Sequence, residues 1–67
     1  MNTKYQGMTY RQIVDAGHEA QRRDDYIEAA AAYREAARVA AWPQDHYALK
    51  DAACECDTLA LTLQRAG

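Results

Sequence analysis

Asp25-Tyr26-Ile27-Glu28-Ala29-Ala30-Ala31-Ala32-Tyr33-Arg34-Glu35-Ala36-Ala37-Arg38 is the stretch that decides the fold of this chain. At about 100° per residue, Ala36, Ala29, Ala40, Tyr33, Tyr26, Ala37, Ala30 and Ala41 fill one broad arc. Glu28, Arg34, Glu35 and Arg38 fill the complementary arc. Asp25, with Glu28 three residues on, supplies an N-cap. The spacing predicts a helix over 26–41 that is covered on more than one side, as a middle helix flanked by two others would be. The Ala29–Ala32 run reads as a surface for close packing of neighbouring backbones.

Working outward, Arg22-Arg23-Asp24-Asp25 places cations at the end of one helix and anions at the start of the next, as the helix dipoles favour. Before it, Thr9 and Gln12 have capping-box spacing, and Met8 with Ile13 has that of a hydrophobic staple. Tyr10, Ile13, Val14, Gly17 and Ala20 then keep a helical rhythm, which predicts a first helix over 10–23. Residues 1–8 carry no periodicity and are expected to form a mobile or loosely docked tail. On the other side, Trp42-Pro43-Gln44-Asp45 interrupts the pattern, with Asp45 a cap for a third helix over 46–65. Its apolar face is Ala48, Leu49, Ala52, Ala53, Cys56, Leu59, Ala60 and Leu63. Both connections are short, so successive helices should run antiparallel. The expected domain, residues 9–67, is therefore all-α, with three antiparallel helices. Its core should centre on Ile13, Gly17, Ala20, Tyr26, Ala30, Tyr33, Ala37, Leu49, Ala52, Cys56, Leu59 and Leu63.

Composition agrees. The 67 residues include 15 Ala but only two Val, two Ile and four Thr, which favours helix over strand. The formal charge of −2 gives no electrostatic footprint for nucleic acid, so direct DNA binding ranks last among the functions considered. No apolar run reaches the length of a signal peptide or a membrane span, so a cytoplasmic protein without membrane contact is expected.

Ile13, Ala16, Gly17, Ala20, Asp25-Tyr26, Glu28-Ala29, Tyr33 and Ala36 stand at the spacings of a tetratricopeptide-type hairpin, which the first two helices resemble. The resemblance implies that Gly17 and Ala20 let the second helix pack close, with Tyr33 filling the gap and the third helix acting as lid. Over about residues 10–57 the chain also resembles the ANR family of small bacterial regulators. That likeness rests on the small-residue run, Asp25-Tyr26-Ile27-Glu28-Ala29-Ala30, Trp42, and Cys54 or Cys56. Tyr33 stands where that family usually has Trp, and Lys50-Asp51-Ala52-Ala53 replaces its Arg- and Phe-containing run. The resemblance implies a non-enzymatic protein that binds AraC-type transcription activators and damps them.

Catalytic equipment is sparse. The chain has no Ser, and His18 beside Glu19 lacks a second His one turn on, where Arg22 stands. His46 is followed one turn on by Lys50 rather than a carboxylate, which does not suit a general base. Cys54 and Cys56 point apart on a helix, with no set of partners for a metal. Neither an enzyme nor a cofactor is expected. The leftover feature is a stripe on the third helix, Tyr47, Cys54 and Leu61 at intervals of seven, with Trp42 at its head. Trp42, Tyr47, Lys50, Cys54 and Leu61 are thus the candidate partner-binding residues, for another protein or for a homodimer. A dimer would add burial to a chain with few large aliphatics. The function expected is inhibition of a bacterial transcription activator by contact. The alternative is a phage or mobile-element inhibitor of a host defence or regulatory protein.

Overall fold

The computed structural model describes residues 4–66 and has three helices: α1 over Tyr10–Arg22, α2 over Tyr26–Val39 and α3 over Pro43–Ala66. The fold is all-α, with no strand among the described residues. α2 is the middle helix, with α1 and α3 both packed against it. The pairings run in opposite directions along α2 and α3: His46 reaches Ala37, whereas Asp57 reaches Arg34.

Each boundary has a chemical cause. Thr9 Oγ1 accepts from the Gln12 amide at 3.1 Å, and Gln12 Oε1 accepts from the Thr9 amide at 2.9 Å, so the capping box is complete. α1 ends in a Schellman turn. The Asp25 amide donates to the Ala20 carbonyl at 2.9 Å and the Asp24 amide to the Gln21 carbonyl at 3.0 Å. Asp24 takes the left-handed position, with φ 58°, where Gly is the usual occupant. Asp25 then caps α2 by accepting from the Glu28 amide. Between α2 and α3 the expected start moves. Pro43, not His46, opens α3, because a first-turn position needs no N–H and proline's fixed φ suits it. Asp45 lies inside the first turn rather than at the cap, and α2 stops at Val39, two residues before the expected end.

The core gathers on α2. Ala29, Ala30, Ala32, Tyr33, Ala36 and Ala37 are buried, with Ile13, Gly17 and Ala20 from α1 and Leu49, Ala53 and Cys56 from α3. Gly17 sits directly against the Tyr33 ring, whose hydroxyl donates to Gln21 Oε1 at 2.7 Å. Tyr26 and Ala52 are half-buried at its edge. Leu59 and Leu63, expected in the core, are 41% and 50% exposed. Leu59 borders a surface depression with Cys54, Glu55 and Thr58, whereas the exposure of Leu63 follows from helix length. α3 has 24 residues and α2 has 14, so α3 is longer by about 15 Å at 1.5 Å per residue. Leu63 lies beside Asp24, Asp25, Tyr26 and Ile27, where α2 begins and its cover runs out.

The N-terminal segment, expected as a mobile or loosely docked tail, packs against α2 where it is described. Residues 1–3 of the expected tail lie outside the described residues. Residues 4–7 form a turn, with Gly7 at φ 84°, and Tyr5 is buried in the same core. The Tyr5 hydroxyl donates to Glu28 Oε1 at 3.0 Å, and Lys4 pairs with the same carboxylate. Glu28, Ala32 and Glu35 follow one edge of α2, and the 4–8 segment lies along that edge.

Candidate interaction surface

All five candidate residues lie on the surface. Trp42 is 64% exposed, Tyr47 66% and Leu61 55%, and Lys50 and Cys54 are exposed as well. Their direction follows from the periodicity of α3. Leu49, Ala53 and Cys56 point at α2, so Tyr47, Cys54 and Leu61, seven residues apart, point outward along one stripe. Trp42 stands in the connection at the head of that stripe. Its carbonyl accepts from the His46 amide at 3.1 Å, opening α3, while its indole stays in solvent. On the same face, Thr58 donates to the Cys54 carbonyl at 3.1 Å and Thr62 to the Thr58 carbonyl at 2.9 Å. These bonds satisfy the hydroxyls within the helix and leave the apolar members of the stripe as its outward contacts.

The structure divides the five residues. Lys50 and Cys54 line a groove of about 310 Å³ between α2 and α3, together with Arg34, Ala37, Arg38, His46 and Ala53. Cys54 also borders a shallow depression with Glu55, Thr58 and Leu59, and so joins groove to stripe. Trp42, Tyr47 and Leu61 are not among the residues lining the groove. Sequence reading missed Arg34, Arg38, Ala37 and His46 as part of this surface. The one available signal was that Arg34 and Arg38, one turn apart, share the polar edge of α2.

Hydrogen bonding fixes this rim. His46 Nδ1 lies 2.8 Å from the Ala37 carbonyl. A carbonyl only accepts, so Nδ1 donates, and the ring ties the start of α3 to the end of α2. Arg34 pairs with Asp57 across the two helices. Arg38 donates through Nε to Glu35 Oε1 at 2.8 Å, and this bond holds the Glu35 carboxyl below its ordinary range. The two cysteines differ. Cys54 is exposed, whereas Cys56 is 1% exposed, and burial with the nearby Glu55 charge pushes its thiol up.

His18 is exposed, with its ring edge-on to Tyr33 at 5.9 Å between centroids. Among the described residues no three His, Cys, Asp or Glu side chains are grouped to hold a metal. No helix among them is long and apolar enough to cross a membrane. Comparison of the chain with protein-family models, with curated proteins and with solved structures returns no match.

Proposed function

We propose that this chain is a small protein-binding regulator that acts by contact through the outward face of α3. The target class proposed is the one the ANR resemblance implies, a bacterial transcription activator of the AraC type, which the chain would inhibit. The observation that carries the reading is the Tyr47–Cys54–Leu61 stripe with Trp42 at its head. Three of these four side chains are large, apolar and more than half exposed. Leaving such side chains in water forgoes stabilisation, and tryptophan and tyrosine are the residues that most often dominate binding energy in interfaces.

Co-purification tests both parts. A Tyr47→Ala, Leu61→Ala double variant should keep its helical content and thermal midpoint, because neither side chain is in the core. It should lose the partner that the wild-type chain retains. A folded variant that recovers the partner equally well would reject the α3 face. Failure of the wild-type chain to retain any of a panel of AraC-type activators would reject the target class.

A further inference from the structure

The charged residues that line the groove between α2 and α3 are all basic, although the chain as a whole is net acidic. The sequence carries ten carboxylates against eight Lys and Arg, yet no carboxylate is among the groove's lining residues. Its floor is Ala37 and Ala53, and its rim is Arg34, Arg38, His46, Lys50 and Cys54. We propose that this groove receives an acidic amphipathic helix of the partner protein. In this arrangement apolar side chains rest on the alanine floor and carboxylates meet Arg34, Arg38 and Lys50. The inference rests on the protein-binding reading above and specifies the chemistry of the partner.

Three features favour this occupant. The first is rim charge that is oriented but not consumed. Arg34 and Arg38 each hold one carboxylate of this chain, Asp57 and Glu35, while their side chains remain 55% and 70% exposed. A guanidinium has five N–H donors, and these pairs use one or two of them. The pairs therefore fix the arginine side chains beforehand and reduce the ordering cost of binding. The second is repeat length. Arg34 and Arg38 are one turn apart on α2, and His46, Lys50 and Cys54 are one turn apart on α3. A third helix laid along the groove presents side chains at the same one-turn interval of about 5.4 Å. The third is continuity. Cys54 lines this groove and is itself a member of the outward stripe, so one partner segment can cover both. A nucleic-acid backbone suits the site less well, because phosphates would meet an alanine floor on a chain of net charge −2.

The test uses the full chain and two synthetic probes of about 14 residues. Both are fluorescein-labelled helices with leucines one turn apart; one has Glu on its flanks and the other has Gln at the same positions. The Glu probe should bind about tenfold tighter than the Gln probe and weaken as salt rises from about 50 to about 200 mM. Amide resonances of Arg34, Ala37, His46, Lys50, Ala53 and Cys54 should shift in its presence. Lys50→Glu should weaken the Glu probe about tenfold, and Lys50→Gln by less, with unchanged thermal unfolding in both. Equal affinity for the two probes, or resonance shifts confined to α1, would overturn the proposal. So would displacement of the Glu probe by a short DNA duplex that shifts the same amides. The readings fail separately. If the probes do not discriminate while the Tyr47/Leu61 variant still loses its partner, the groove assignment falls and the contact regulator stands.

Discussion

Gly17 occupies a position where the chain cannot take even a methyl group. A Cβ there would lie 2.6 Å from Tyr33 Cε1 and 2.9 Å from Cδ1. The ring is 3% exposed and tethered at its hydroxyl to Gln21, so it has little room to yield. Gly17→Ala should therefore cost about 1–3 kcal/mol by overpacking, although Ala is the better helix former. Urea denaturation would measure the loss, and a gain in stability would show that the ring can move. This apposition was legible in advance, because the resemblance to a tetratricopeptide-type hairpin implies that Gly17 and Ala20 let α2 pack close with Tyr33 in the gap. The role of Asp24 was not. Arg22-Arg23-Asp24-Asp25 reads as helix-end electrostatics, and only the backbone shows Asp24 in the left-handed region. Its side chain accepts from the Tyr26 hydroxyl at 3.1 Å, which explains part of its tolerance there. Asp24→Gly should hold or raise the stability, whereas Asp24→Ala should lower it by about 1 kcal/mol. The reverse order would contradict the turn geometry. Cys56 sets a pH dependence. Its thiol is raised in the folded state, so its stabilising contribution is complete below the unfolded value of about 8.5 and is lost as pH rises through the folded one. Tyr33, raised by burial first and the Cys56 charge second, extends the same loss above pH ~10. Melting under reducing conditions should decline from about pH 8.5 upward, and Cys56→Ala should flatten the first part of that decline.

At the scale of the element, α3 shows what a periodic pattern can and cannot tell. The pattern identified the helix and the direction of its buried face, since Leu49 and Cys56 do point at α2. It misplaced the start, because proline reads as a breaker unless the first turn is considered. It also misplaced Leu59, which sits at the edge of the apolar face, and Leu63, because periodicity gives the direction of a side chain and not how far the facing helix extends. The stability effects should separate accordingly. Leu49→Ala should cost about 2–4 kcal/mol, whereas Leu61→Lys and Leu63→Lys should each cost less than about 0.5 kcal/mol. Thermal denaturation of the three variants would check this; a large loss at Leu63 would mean that it is covered after all. The candidate site was half legible. The outward stripe can be read from intervals of seven on one helix. The groove cannot, because it needs the rotation of α2 against α3, which brings Arg34 and Arg38 beside Lys50.

For the whole molecule, the least legible part is the N-terminal segment. A few residues with no period carry no folding signal, and one tyrosine among them does not announce that it is core. Yet Tyr5 is 8% exposed and closes the Glu28–Ala32–Glu35 edge of α2. In a chain this short each buried aromatic is a large share of the core. Tyr5→Ala should cost about 2–4 kcal/mol, and Tyr5→Phe, which loses only the bond to Glu28, about 1 kcal/mol. Equal and negligible losses in both would show that the segment does not contribute to folding.

Trp42, the single tryptophan, gives the molecule an uneven optical response. Its indole stands mostly in water in the native chain, so its emission should change little when the protein unfolds. A melt followed by tryptophan fluorescence would look nearly flat while circular dichroism records the loss of three helices. If a partner covers the head of α3, the same indole leaves water and its emission shifts to the blue. The chain thus carries an indicator of docking that is largely insensitive to its own stability.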